Sequence, residues 1–155
     1  MQQSLGNNAW AQGVVMVPPI ESIFDSVAND SDKSWVVPDN ELWLLNWAHA
    51  ILISTATVGN RELCINVLDE LGNLLIDIPS SAVQAASLTN HYAFYQGIFR
   101  ETAFAANAIQ VPIPKDLYLR AGYTLRVYDR AAIAPAADDM TVSFQIQKYL
   151  IQGAG

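Results

Sequence analysis

The chain is short of charge, and of lysine above all. Only 15% of its 155 residues are Asp, Glu, Lys or Arg, well below the quarter or so usual in soluble domains. Lysine occurs three times, as Lys33, Lys115 and Lys148. So few charges give limited means of keeping a whole surface dissolved, and part of that surface is expected to be buried against other subunits. The alternative is a monomer with an uncharged polar exterior of Asn, Gln, Ser and Thr. The net charge is −7, and the five arginines (Arg61, Arg100, Arg120, Arg126, Arg130) form no run. Neutralisation of phosphates by Lys and Arg supplies most non-specific affinity for nucleic acids, so no nucleic-acid partner is expected.

Cysteine is nearly missing as well. Cys64 is the single one, which excludes an intrachain disulfide. It lies in Leu63-Cys64-Ile65-Asn66-Val67, a strand-like stretch, where it reads as a small buried hydrophobe and not as a reactive thiol. His49 and His91 are the only histidines and have no HxH or HxxxH spacing. A transition-metal site would need acids delivered by the fold. There is no GxSxG and no DxDxDG, so neither a nucleophile elbow nor a calcium loop is signalled. The acids Asp39, Asp69, Asp77 and Asp116 fall in turns, with no inward pair of the kind glycoside hydrolysis requires. Asp69-Glu70, Asp129 and Asp138-Asp139 are loop acids, read as solvated turn residues before calcium ligands. No catalytic, cofactor-binding or metal-ligating residue is expected, nor any cofactor or enzyme activity. The N-terminus lacks the basic and apolar regions of a secretory signal. The apolar runs fall far short of the ~20 residues that span a bilayer. The expectation is synthesis in a cytoplasm with no membrane partner.

What is present is a period of two. Met140, Val142, Phe144, Ile146 and Leu150 share one parity, broken by Lys148, while Thr141, Ser143, Gln145 and Gln147 take the other. That alternation predicts a long strand with one buried face over Met140–Ile151. Tyr123, Leu125 and Val127 alternate in the same way, as do Leu63, Ile65 and Val67. Glu41–Val58 is apolar on both parities, so both its faces are buried or the strand bends midway. Turns are signalled at Asp39-Asn40, Gly59-Asn60, Asp69–Asn73 and Ala121-Gly122. Val111-Pro-Ile-Pro114 suits a sheet edge or a loop, because proline has no amide hydrogen for a ladder. His91–Ile98 reads as strand, and Ser80–Leu88 as one or two helical turns capped by Ser80 or Ser81.

Seven or eight strands at hairpin spacing, with 52% apolar residues to fill a core, predict an all-β fold. The expected form is a jelly-roll-like antiparallel β-sandwich over 34–151, with an extended N-terminal arm over 1–33 and a short tail over 152–155. Within the arm, Pro18 and Pro19 enforce extended backbone. Ile23, Phe24 and Val27 are expected to form one short helical turn, and Asn29–Ser34 a polar loop. The arm either forms a strand of its own domain or reaches onto a neighbour. Trp35, Trp43 and Trp47 cluster and Trp10 lies in the arm. They are read as core or subunit-interface residues in preference to sugar-stacking platforms.

Three segments carry a resemblance: Trp35-Val-Val-Pro-Asp-Asn-Glu-Leu-Trp43, Gly59-Asn-Arg-Glu-Leu-Cys-Ile-Asn-Val67, and Ile113–Asp129 followed by Asp138-Asp139-Met140. In pattern and turn placement they resemble small β-sandwich virion proteins of tailed bacteriophages, the decoration or cement proteins of the icosahedral head. The resemblance covers roughly residues 35 to 151 and leaves the arm outside. It implies a protein on the outer capsid surface of the virion, made in the host cytoplasm. Its partners would be the major capsid protein and copies of itself, as a trimer or dimer. The implied mechanism is multivalent clamping of neighbouring capsid subunits, in which weak contacts on a lattice gain avidity. The residues expected to make the contact are Trp10, Val14, Val15, Met16, Val17, Pro18, Pro19 and Ile20. Two other roles fit the same architecture: a tail, neck or fibre-base adaptor, and a carbohydrate- or receptor-binding jelly-roll module.

Overall fold

The structure is a computed structural model and describes residues 18–80, 82–97, 107–134 and 136–151. Those residues contain ten strands and no helix: β1 (Ile20–Asn29), β2 (Asp32–Val36), β3 (Glu41–Ile53), β4 (Leu63–Leu68), β5 (Leu74–Pro79), β6 (Thr89–Gln96), β7 (Ala108–Ile113), β8 (Tyr118–Arg120), β9 (Thr124–Asp129) and β10 (Asp139–Leu150). One sheet runs β1-β10-β3-β6-β7, with β8 also paired to β3, and the other runs β2-β9-β4-β5. All pairs are antiparallel except β6 with β7. The pairs β1–β10, β2–β9, β3–β8 and β4–β5 alternate between the sheets, as when one long ribbon of paired chain is rolled up. That is the jelly-roll arrangement the strand spacing predicts.

Alternation decides what fills the space between the sheets. Met140, Val142, Phe144 and Ile146 of β10 are buried, facing Leu63, Ile65 and Val67 of β4 and Leu125 and Val127 of β9. Trp35 from β2 meets Phe144 edge-on, with ring centroids 4.5 Å apart and planes at 89°, a favoured aromatic geometry. Cys64 is fully buried on the opposite side of β4, and burial pushes its thiol pKa up to about 12. The small-hydrophobe reading holds.

The two apolar parities of Glu41–Val58 have a structural cause. Gln145 pairs with Trp47 but its neighbour Ile146 pairs with Leu45, so Asn46 is an extra residue in β3. This β-bulge resets the alternation. Before it Trp43 and Leu45 enter the core, and after it Ala48, Ala50 and Leu52 do. The backbone groups of Leu45 are served across the bulge: its amide bonds to Leu117 O at 3.0 Å, and its carbonyl accepts from Gln96 Nε2 at 2.8 Å.

Four expectations need correction. Ile23, Phe24 and Val27 lie in a strand and not a helical turn, because Ile20–Asp25 finds a ladder partner in β10. Asn29–Ser34 is loop only at its centre: β2 begins at Asp32, so the expected arm boundary after Lys33 falls inside a strand. Of the two fates left open for the arm, residues 20–29 take a strand of their own domain. The long strand from Glu41 stops at Ile53, not Val58. The described part of Ser80–Leu88 is irregular, and tertiary hydrogen bonds replace a helix there. Arg61 and Gln84 exchange backbone bonds at 2.8 Å, and the Gln84 side chain donates to the carbonyls of Leu52 and Leu88.

Candidate functional site

Two regions stand out. The first lies at the end of the sandwich where the β3–β4, β5–β6 and β9–β10 connections meet. Arg61 and Asp138 form an ion pair with both side chains 0% exposed, Nε to Oδ2 at 2.7 Å. The second nitrogen of the guanidinium fork, Nη2, reaches Asp138 Oδ1 at 3.1 Å, and Nη1 donates to the carbonyls of Thr57 and Gly59. Asp138 Oδ1 also accepts from the amide and hydroxyl of Thr55. Burial opposes its ionisation, but the hydrogen bonds from Arg61 and Thr55 outweigh that cost and hold Asp138 below the usual carboxylate range. The expectation of a solvated turn acid at Asp138 is therefore overturned, for it sits in the protein interior.

Asp129 does a related task nearby, its carboxylate accepting from the amides of Glu62, Ala131 and Ile133. Gly59 is tight against this cluster: a Cβ there would lie 3.0 Å from Ile133, at a φ of +146°. Each oxygen is taken up by an amide, a hydroxyl or a guanidinium, and the whole arrangement fastens loops.

The second region is the outer face of the six-stranded sheet. The ladders set its side chains in rows. One row runs Ser22, Gln145, Trp47, Tyr95, Pro112, and the next runs Phe24, Ser143, His49, Ala93, Gln110. Thr141, Ile51, His91 and Ala108 follow on one side, and Ile20, Gln147, Leu44 and Tyr118 on the other. None of these residues is Asp, Glu, Lys or Arg. Phe24 is 68% exposed, Ile20 59% and Trp47 37%.

The strand β1 is wired the reverse of an ordinary edge strand. Its acids turn toward the sandwich, Glu21 opposite Ile146 and Asp25 opposite Val142. They meet two of the three lysines: Lys148 lies 3.1 Å from Glu21 and from Glu41, and Lys33 lies 3.4 Å from Asp25. Ile23, between the acids, packs against the core, while Ile20 and Phe24 are left facing outward.

The sequence separates the two histidines, and the sheet joins them on this face. His49 Nε2 and His91 Nδ1 are 3.2 Å apart, with ring centroids 5.4 Å apart and planes 14° from parallel. Burial, and then the neighbouring His91, hold His49 below the ordinary histidine range. The two nitrogens engage one another, and among the described residues no third His, Cys, Asp or Glu joins them to make a metal site.

Of the expected contact residues, Trp10, Val14, Val15, Met16 and Val17 lie outside the described residues. Pro18, Pro19 and Ile20 sit at the root of β1, the outermost of the described strands on that side of the six-stranded sheet, where Pro19 O accepts from the amide of Lys148. Trp43 is core and Trp35 packs against it, while Trp47 is on the outer face. Sequence reading missed this face. Its one available signal was the second apolar parity of β3, Trp47, Ile51 and Ile53.

The fold defines the chain as an all-β, jelly-roll-like sandwich. No protein-family model matches it, and no curated protein does. A chain from the structure of the Gx strain of infectious bursal disease virus is similar at a TM-score of 0.33 and 14% identity, covering 88% of this chain. The match spans 41% of that viral chain.

Proposed function

We propose that this protein is a virion structural component that decorates and stabilises a phage capsid by clamping neighbouring capsid subunits, with copies of itself and the major capsid protein as partners. The observation that carries the reading is the placement of charge. β1 pairs its acids with lysines on the sandwich side and presents Ile20 and Phe24 on a broad uncharged sheet face. A chain this poor in charge that leaves such a face outward is organised for association with protein. The site built from buried polar groups fastens loops. The resemblance of residues 35 to 151 to phage decoration proteins agrees with this. The root of the arm at a sheet edge gives residues 10 to 20 a starting point from which to reach a neighbouring subunit. Weak contacts repeated over a lattice then add through effective concentration.

The test is removal of residues 1–17, which spares β1, followed by mass spectrometry of purified particles. Loss of the truncated protein from particles that carry the full chain in hundreds of copies supports the reading. Unchanged occupancy overturns the arm as the clamp, and about a dozen copies or fewer of the full chain would point to a tail or neck adaptor instead.

A further inference from the structure

We infer that β1 is an exchangeable strand, which leaves its own domain and adds to β10 of a second copy of this chain while that copy gives its own β1 in return. The inference rests on the proposed reading only in that copies of the chain are partners, and the observations that carry it belong to the strand itself. β1 is lightly held. None of its ten residues is fully buried, and Ile23 is the only one packed against the core. Among the described strands it pairs with β10 alone, and its ladder is broken by a register shift between Asp25 and Asn29. Its side-chain ties are ionic and partly in water: Glu21, with its side chain 44% exposed, meets Lys148, and Asp25, at 31%, meets Lys33. Ion pairs this exposed contribute little. Each of these contacts is remade unchanged when the strand comes from another chain, which makes exchange of an identical element a low-cost route to a dimer.

The link that follows the strand favours exchange. β1 belongs to the six-stranded sheet and β2 to the other, yet only Asp30 and Ser31 separate them. The three backbone steps from Asn29 to Asp32 reach at most about 11 Å, and facing sheets lie about 10 Å apart. The crossing therefore has no slack, and a connection this short favours an opened, exchanged form over closure. Two contacts hold it. Ser31 O accepts from the amide of Asp129 at 2.9 Å, and this bond stays in place when β1 leaves. Lys33 Nζ reaches back to Val27 O at 3.1 Å and to the Asn29 side chain, and the β1 of the other copy remakes these bonds. In the exchanged pair Lys33 and Lys148 of one copy take Asp25 and Glu21 of the other, so two of the three lysines lie in the joint. The residues ahead of β1 travel with it, which brings the arm to a neighbouring subunit.

The experiment uses Ser22 and Gln145, which pair across the β1–β10 ladder. Ser22→Cys and Gln145→Cys are made as separate full chains, refolded together from urea under reduction at high concentration, and then oxidised. Residues paired across neighbouring strands lie within disulfide reach, and Cys64 is buried. The expected product joins one Ser22→Cys chain to one Gln145→Cys chain, at twice 17.0 kDa on a non-reducing gel. Collision alone would join like chains as often as unlike ones. A chain carrying both changes, refolded dilute, should close on itself and shows that the pair can bond. Phe24→Cys and Ser143→Cys, at the next pair of the same parity, take their place if it does not. Mixed chains that fail to join where the doubly changed chain closes overturn the inference. Four glycines inserted between Asp30 and Ser31 give the link slack and should cut the dimer fraction in analytical ultracentrifugation about tenfold. Deletion of Asp30 shortens the reach to about 7 Å and should raise it. A dimer fraction indifferent to both changes also overturns the inference. Exchange in a protein absent from virus particles sinks the virion reading alone, and a protein found on particles without exchange sinks this inference alone.

Discussion

At its loop end the molecule buries ions, while on the broad face of its larger sheet it leaves greasy side chains in water. Arg61 and Asp138 are fully enclosed, whereas Phe24 and Ile20 stand mostly free. A buried pair is no general source of stability, since desolvation offsets most of the attraction. What it supplies is position. One guanidinium and one carboxylate tie the β3–β4 connection to the β9–β10 connection, and the Arg61 backbone ties in Gln84 of the β5–β6 connection. The outer face buries Leu44 yet leaves Phe24 and Ile20 in water. In both regions the ordinary pattern of charge outside and grease inside is reversed, and at the loop end the reversal fastens the fold.

The strongest way to break this contrast is to halve the ion pair. Arg61→Met leaves the Asp138 carboxylate buried without its cation and should cost about 3–5 kcal/mol in urea unfolding. Arg61→Met combined with Asp138→Leu should recover much of that loss. Two tryptophans of the same strand allow a matched comparison. Trp43→Ala, in the core, should cost about 3–5 kcal/mol. Trp47→Ala, on the outer face, should cost less than about 1 kcal/mol in the dissociated chain.

Acid gives a smaller and graded effect. The Asp138 pKa is depressed by folding, so its contribution is complete above the unfolded value of about 3.9 and is lost as pH falls through the folded one. Stability measured by denaturant titration should therefore drop below about pH 4, and Asp138→Asn should flatten that limb. The smallest effect is chemical. Cys64, buried with its pKa pushed up to about 12, should resist a thiol reagent at pH 8 in the native protein and react once unfolded.

Strand parity was legible where a strand has one wetter and one dry face, as in β10 and β9, and in β4 the core residues Leu63, Ile65 and Val67 keep their alternation although Cys64 and Asn66 behind them are buried too. The β1 strand was misread because acids flank Ile23 on its inward parity. Glu21 and Asp25 point toward the sandwich, where Lys148 and Lys33 meet them, and Lys148 lies far outside any local window. The segment from Ser80 was misread because its capping serine and alanines favour a helix locally, while Gln84 is claimed by carbonyls of Leu52 and Leu88. For the site, the histidines could be counted but not paired, since the register of β3 against β6 sets His49 beside His91. Asp138 gave no sign of burial, because a pair of adjacent acids in a loop looks the same whether or not an arginine closes over one of them.

Asn46 carries a consequence for how this chain can vary. Because β3 holds one residue more than β10 at the bulge, removing Asn46 leaves Leu45 inward, Trp47 outward and Ala48 inward in one unbroken alternation. Removing a residue from the paired part of β3 outside the bulge turns the side chains beyond it to the opposite face. A change of length in this strand is therefore tolerated at one point, and the bulge marks it.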